Sequence, residues 1–169
     1  YMLLADGEKG PQVYSAATKR DQAKIIWTES TRMVKKSPAL LKRAKCRVGD
    51  ISSEEYNNGT FKPLASDSDS LDGLNIHCAL LDEIHQWKVG KALYDILADG
   101  VSARTQPLIY VTSTAGTIRE DIYDQKYDES ERIINGLYDP TGYKDIHVFP
   151  FIYELDERKE WTDERAWYK

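Results

Sequence analysis

A mostly parallel α/β sheet flanked by helices, with a β-hairpin inserted into it, is the fold class this sequence predicts. Three observations point there. Short apolar runs alternate with segments whose apolar residues recur at helical spacing. The apolar run Ala79-Leu80-Leu81 ends in two adjacent acids, Asp82 and Glu83. A second run, Pro107-Leu108-Ile109-Tyr110-Val111, ends in Thr112-Ser113-Thr114-Ala115-Gly116. Strands that alternate with helices, joined by right-handed crossovers, build a doubly wound parallel sheet. Such sheets bind ligands outside the carboxyl ends of their strands.

The elements follow in order. Tyr1-Met2-Leu3-Leu4 reads as the last turn of a helix closed by Gly7. Gln12 to Ala17 is a short strand after the Gly10-Pro11 break. Thr18 is the expected N-cap of a long helix reaching about Ser37, where Pro38 stops it. Asn57-Asn58-Gly59 between the extended segments Arg47–Ile51 and Thr60–Leu64 marks the hairpin. Ser66 to Ser70 is a polar loop. His77 to Leu81 is a central buried strand, and Lys91 to Ala98 an amphipathic helix closing near Gly100. Pro107 to Thr112 is another buried strand, Glu120 to Asn135 a helix ending at Gly136, and Ile146 to Tyr153 a last strand. Thr162 is the expected N-cap of a helix that has only begun, with Asp163 and Glu164 suited to its positive end.

The 169 residues fit one domain with a real core, 41% hydrophobic and 30% charged. No apolar run is long enough to span a bilayer. The first residues show no secretory leader pattern, and two cysteines, Cys46 and Cys78, make neither a disulfide framework nor a metal pattern. A reducing cytoplasm is the expected setting. The net charge of −5 is uneven. Lys19 to Arg47 holds ten Lys and Arg against two acids, a balance of +8, which leaves −13 for the remainder. A basic third on an acidic protein is either a polyanion-binding face or a solvated helix flank. Both ends read as cut, so the sequence is expected to be an excerpt of something longer.

Asp82 and Glu83 carry the chemistry. Adjacent acids leaving a strand point to opposite faces and so can hold different roles. The first can hold Mg²⁺ while the metal bridges phosphate oxygens. The second can orient and deprotonate an attacking water. Ser113 and Thr114 offer hydroxyls to a γ-phosphate, and Gly116 permits a sharp turn close to the ligand. The plain alternative for each is an ordinary strand end that happens to be acidic or small. The two together, one strand–helix–strand apart, favour a nucleotide hydrolase. His77 and His85 read as packing or hydrogen-bonded residues, and Trp27 and Trp87 as core or interface residues.

With these residues in place, the chain resembles the large terminase subunit of tailed bacteriophages. The resemblance rests on Val13 to Ala23, on Ser70 to Asn75 leading into Leu81-Asp82-Glu83-Ile84-His85, on Gly100 to Leu108 leading into Thr112 to Gly116, and on Phe151 to Asp156 followed by Trp161-Thr162. It implies a RecA-like P-loop NTPase-type core over residues 1–155. Residues 156–169 would begin a linker or helix towards a nuclease domain. Asp82 would be the Mg²⁺ acid, through water, and Glu83 the catalytic base. Ser113, Thr114 and Gly116 would couple ATP hydrolysis to DNA movement. Arg104 or Arg20 would be the candidate arginine finger, and Lys19, Lys35 and Lys36 candidate DNA contacts. ATP and Mg²⁺ are the implied cofactors. Double-stranded DNA, a terminase small subunit, a portal protein and further copies in a ring are the implied partners, in the cytoplasm of the infected host.

Two departures from that pattern stand out. The Gly-rich loop with Lys-Ser/Thr is absent from the sequence, as is the nuclease domain, so this chain alone is expected to hydrolyse ATP poorly. Some terminases also carry an Arg where this chain has Asp72. A DExH-type helicase of superfamily 2 is the nearest rival, on Asp82-Glu83-Ile84-His85 and Thr112-Ser113-Thr114. A non-catalytic prophage remnant is a reading of a different class.

Overall fold

In the computed structural model the described residues are 1–55, 58–66, 71, 73–115, 121–155 and 157–168, and statements of absence below concern these alone. The chain divides into two compact units, Tyr1–Tyr123 and Asp124–Lys169.

The first unit is built on a six-stranded sheet. Its strands are β1 (Gln12–Ala17), β2 (Lys45–Cys46), β3 (Ile51–Ser53), β4 (Gly59–Ala65), β5 (Ile76–Leu81) and β6 (Leu108–Val111), in the spatial order β2-β3-β4-β1-β5-β6. β1 pairs parallel to both β4 and β5, and β5 pairs parallel to β6. β2, β3 and β4 run antiparallel in sequence. β3 and β4 pair antiparallel, but the first strand is Ile51–Ser53 and not the expected Arg47–Ile51. β4 is also an interior strand of the sheet. Asn57 of the expected turn lies outside the described residues.

Side-chain alternation divides the core between the two faces. Tyr14, Ala16, Leu64, Ala79 and Leu81 lie in one cluster with Leu93 and Leu97 of helix α3 (Gly90–Gly100), Ile84, Trp87 and Ile122. Val13, Phe61, Ile51 and Cys78 lie in the other with Val34 of helix α1 (Arg20–Lys36), Leu3 and Leu4. Ser15 is fully buried, and its hydroxyl donates to the Ala23 carbonyl of α1 at 2.7 Å. Small residues at 15 and 23 let helix and strand approach, and the polar Oγ has a partner there, as burial demands.

Several expectations need correction. Thr18 does not cap α1. Lys19 is the N-cap, extended and without a side-chain cap, and the Thr18 carbonyl accepts from Ser66 Oγ at 2.8 Å. Pro38 both ends α1 and opens a single-turn helix α2 (Pro38–Leu41), whose Leu40 N–H donates to Ser37 Oγ at 3.4 Å. Proline suits a first helical turn because its missing N–H has no partner there in any case. β6 is not buried. It has a strand neighbour on one side only, and Leu108 and Tyr110 are 40% and 55% exposed.

The second unit holds most of helix α4 (Ile122–Gly136) and two 3₁₀ turns, Arg158–Thr162 and Glu164–Tyr168. Ile146 to Tyr153 forms no strand. Phe149, Phe151 and Tyr153 are exposed, and Pro150 withholds an N–H, so the run has β composition without a ladder to join. Thr162 is no N-cap either. It ends the first 3₁₀ turn, and the Arg165 N–H donates to Asp163 Oδ1 at 3.0 Å. No helix is long and apolar enough to cross a membrane.

Candidate functional site

The register places Ala16 beside Leu81 and Leu81 beside Val111. Thr18, Asp82 and Thr112 therefore leave the sheet along one edge, at the carboxyl ends of β1, β5 and β6. The Thr112 N–H donates to the Leu81 carbonyl at 2.8 Å and extends the β5–β6 pairing by one step. Asp82 Oδ1 then accepts from Thr112 Oγ1 at 2.7 Å and from the Glu83 N–H at 3.0 Å. Its other oxygen accepts no hydrogen bond from the described residues.

The chain reverses at Glu83. Its backbone is left-handed, φ 52° and ψ 44°, a region that costs a non-glycine residue about 1–3 kcal/mol. A 3₁₀ turn, Ile84–Gln86, follows at once, and buried Ile84 anchors it. The reversal turns the Glu83 carboxylate towards the segment after β6. Two hydrogen bonds reach Oε2, from Gln86 Nε2 at 3.3 Å and from Thr114 Oγ1 at 3.4 Å, and His85 Nε2 lies 3.4 Å from the same oxygen. Oε1 receives none from the described residues. Gln86 is held in turn by Gln22 of α1, whose Nε2 donates to Gln86 Oε1 at 2.9 Å. His85 is tied to Ser113, with Nδ1 at 3.1 Å from Oγ and the backbone N–H donating to the same oxygen at 3.2 Å.

A third carboxylate, Asp121, holds the start of α3. Asp121 accepts from the N–H groups of Gly90 at 3.1 Å, Lys91 at 3.0 Å and Ile122 at 2.7 Å. Burial alone would raise its pKa, but these backbone donors together hold it below the usual carboxylate range. It caps α3, whose own N-cap residue, Val89, has no side-chain acceptor to offer.

The structure brings together Asp82, Glu83, Ser113 and Thr114, as expected. Gly116 lies outside the described residues, as does Asp72. Arg20 stands in the first turn of α1 at the same sheet edge and lines a groove of about 270 Å³ with Ala23, Lys24, Pro63 and Ala65. Lys19 is exposed beside it. Lys35 and Lys36 are also exposed, but they sit in the last turn of α1, about 24 Å away at 1.5 Å per residue. The three lysines do not form one patch.

Arg104 is at the opposite edge. Its guanidinium donates to Glu8 Oε1 at 2.9 Å, to the carbonyls of Lys9 and Gly10 at 2.8 Å each, and to that of Asn75 at 3.1 Å. Gly10 and Asn75 precede β1 and β5, so Arg104 is separated from Asp82 by the length of a strand, about 20 Å. With its side chain 8% exposed, it is a brace for the amino-terminal edge.

Sequence reasoning missed Thr112, Gln86, Gln22 and Asp121, and gave His85 a packing or hydrogen-bonded role without naming Ser113 as its partner. Thr112 had a signal, a hydroxyl at the tip of a strand paired to the acid-bearing one. Gln22 and Gln86 meet across 64 positions, which no local pattern announces.

The donor set bears on which metal could be held. No three His, Cys, Asp or Glu residues cluster among the described residues. Mg²⁺ needs no such cage, because it keeps its waters and binds through one or two carboxylates plus substrate phosphates. The open oxygen of Asp82 fits that mode.

The family described as "Terminase large subunit, ATPase domain" matches residues 1–132. Protein YmfN of Escherichia coli (strain K12) is 37% identical over 93 residues, 54% of this chain and 19% of that protein. The crystal structure of the large terminase of bacteriophage HK97 superposes with a TM-score of 0.69 at 23% identity, covering 94% of this chain and 33% of that one. The large terminase ATPase domain of Thermus phage P74-26 gives 0.62 at 15% identity, covering 96% of this chain and 70% of that one. This chain thus spans about a third of the HK97 protein and about a fifth of YmfN. With its RecA-like sheet and the family match over residues 1–132, the chain belongs to the ATPase domain family of terminase large subunits.

Proposed function

We propose that this chain is part of an ATP-driven motor that moves double-stranded DNA into a viral procapsid. The observation that carries the reading is the division of labour between Asp82 and Glu83. Among the described residues, one acid keeps a single oxygen free of hydrogen bonds beside the β6 tip, and the other receives two hydrogen bonds and the edge of the His85 ring on one oxygen and no hydrogen bond on its second. Asp82 would hold Mg²⁺ through that open oxygen or through an intervening water. The metal would supply neutralisation of charge on the transferred phosphate. Glu83 Oε1 would accept a proton from water as the water oxygen attacks the γ-phosphorus of ATP, giving ADP and phosphate. A positioned general base contributes about 10²–10⁴ in rate. Ser113 and Thr114, at the tip of β6, would report the γ-phosphate to the rest of the domain.

The remaining parts of the reading rest on the family. Packaging motors work as rings of copies on a portal protein, with a small subunit that recognises the DNA, inside the infected cell. The sequence holds no Gly-rich loop ending in Lys-Ser/Thr, so turnover would require a phosphate cradle outside these residues.

The test is ATP binding and hydrolysis by the full-length protein, with and without DNA, for the natural sequence and for Glu83→Gln. The expected result is a loss of turnover by at least about 10²-fold with nucleotide affinity changed only a few-fold. Turnover that survives Glu83→Gln would remove Glu83 from the role of base. This chain alone, assayed beside the full-length protein, should be inactive.

A further inference from the structure

Of the groups that reach Glu83 Oε2, His85 is the one whose ring faces two elements of the site at once. Nε2 lies 3.4 Å from Glu83 Oε2, and Nδ1 lies 3.1 Å from Ser113 Oγ. The ring has little freedom to do otherwise. Its side chain is 14% exposed, the backbone N–H is tied to Ser113 Oγ at 3.2 Å, and Tyr123 meets the ring edge-on at 6.5 Å between centroids.

We infer that His85 is a positioning residue that carries the placement of Ser113, on the β6 side, to the Glu83 carboxylate on the β5 side. The inference rests on the hydrolase reading of Glu83. In the tautomer that places the proton on Nε2, facing the Glu83 carboxylate, Nδ1 is an acceptor for the Ser113 hydroxyl. Ser113 has one proton and two acceptors within reach, His85 Nδ1 and the Thr114 carbonyl at 3.1 Å. With the hydroxyl turned to His85, Ser113, His85 and Glu83 stand in one row, joined by the Ser113–Nδ1 hydrogen bond and by the 3.4 Å approach of Nε2 to Oε2. With it turned to Thr114, the row is cut. A rotation of one hydroxyl at the β6 tip thus changes how firmly Oε2 is held, and so how Oε1 is aimed at a water. Nothing is transferred in this step; the ring only orients.

The first arm of the test needs no nucleotide. In ¹⁵N NMR of the imidazole in the nucleotide-free full-length protein, Ser113→Ala should move the His85 Nδ1 resonance and Glu83→Gln the Nε2 resonance. Resonances unmoved by both would overturn the contacts themselves. The second arm is steady-state ATPase activity of His85→Gln, His85→Asn and His85→Phe, each alone and combined with Ser113→Ala. Gln extends a donor to the Nε2 position, Asn reaches only the Nδ1 position, and Phe keeps the packing on Tyr123 alone. We expect kcat to fall about 10–100-fold for His85→Phe and His85→Asn, and less for His85→Gln, with KM within about threefold. Ser113→Ala should cost much less on the His85→Phe background than on the natural one, because the row is already broken. Full activity of His85→Phe, or strictly additive losses, would overturn the inference. Glu83→Gln in the same assay separates the two failures. If it abolishes turnover while the His85 variants are silent, the relay fails and the base stands; if it is itself silent, the hydrolase reading fails first.

Discussion

Thr112 Oγ1 donates to Asp82 Oδ1 at 2.7 Å and so joins the tips of β6 and β5 through side chains as well as backbone. The bond fixes which oxygen of Asp82 faces outward. Thr112→Val keeps the shape and removes the donor, leaving a half-buried carboxylate oxygen short of one partner. Unfolding in urea should show a loss of about 1 kcal/mol. Thr112→Ser should recover most of it. In the full-length protein Thr112→Val should also lower kcat, since Asp82 would lose its set orientation. A Thr112→Val protein that matches the natural one in both measurements would mean that the hydrogen bond orients nothing.

Arg104 makes the opposite kind of prediction, one of stability without chemistry. Its guanidinium is almost wholly buried and serves one carboxylate and three carbonyls at the start of β1 and β5. Arg104→Met removes the charge and leaves those acceptors without donors. Losses of about 3–5 kcal/mol accompany the breaking of a buried pair from one side. Arg104→Lys should rescue little, because a single ammonium cannot span the planar set of acceptors. Denaturant midpoints of both variants check this. If Arg104→Lys unfolds like the natural chain yet ATP turnover in the full-length protein collapses, Arg104 is acting on nucleotide after all.

What could be read in advance follows from how local each signal is. β1 and β5 were legible because each is a short, almost continuously buried run bounded by a clear signal, Gly10-Pro11 before β1 and Asp82-Glu83 after β5. The pairing of Asp82 with the segment after β6 was legible because strand tips in parallel sheets share an edge. Ile146 to Tyr153 has the same composition as a strand but carries no information about whether a neighbour exists. Arg104 looked like any loop arginine, because its acceptors are main-chain carbonyls some thirty and ninety positions away. The hold of Gln22 on Gln86 depends on where α1 docks, which is decided by long-range packing such as that of Ala23 against Ser15 and of Val34 in the second cluster.

Asp121 links stability to pH. Burial would raise its pKa, and the N–H groups of Ile122, Gly90, Lys91 and Val89 more than reverse that. A folded-state pKa held below the unfolded value stabilises the fold above the unfolded pKa, near 3.9, and that stabilisation is lost as pH falls through the folded value. Asp121→Ala should therefore lose about 1 kcal/mol at pH 7, the usual cost of deleting a helix cap. The gap between the two proteins should hold steady down to about pH 5 and narrow below about pH 4. Urea midpoints across that range test it. A gap that widens on acidification would contradict the assignment.

Cys78 offers a clock for opening of the strand that bears the acids. It is fully buried in β5, four positions before Asp82, and burial pushes its thiol up to about 12. Only a thiolate reacts with disulfide reagents, and at pH 8 a thiol titrating near 12 is about one part in 10⁴ ionised. Cys46 is half-buried on the short strand β2. Labelling of the folded chain should therefore show a rapid phase from Cys46 and a slow phase from Cys78. The slow phase should be governed by strand opening rather than by reagent, because Cys78 must leave the sheet before it ionises or is reached. Urea below the unfolding midpoint should speed the second phase and leave the first nearly unchanged. Equal rates at both cysteines in the absence of denaturant would mean that β5 is not the closed interior strand on which the placement of Asp82 and Glu83 depends.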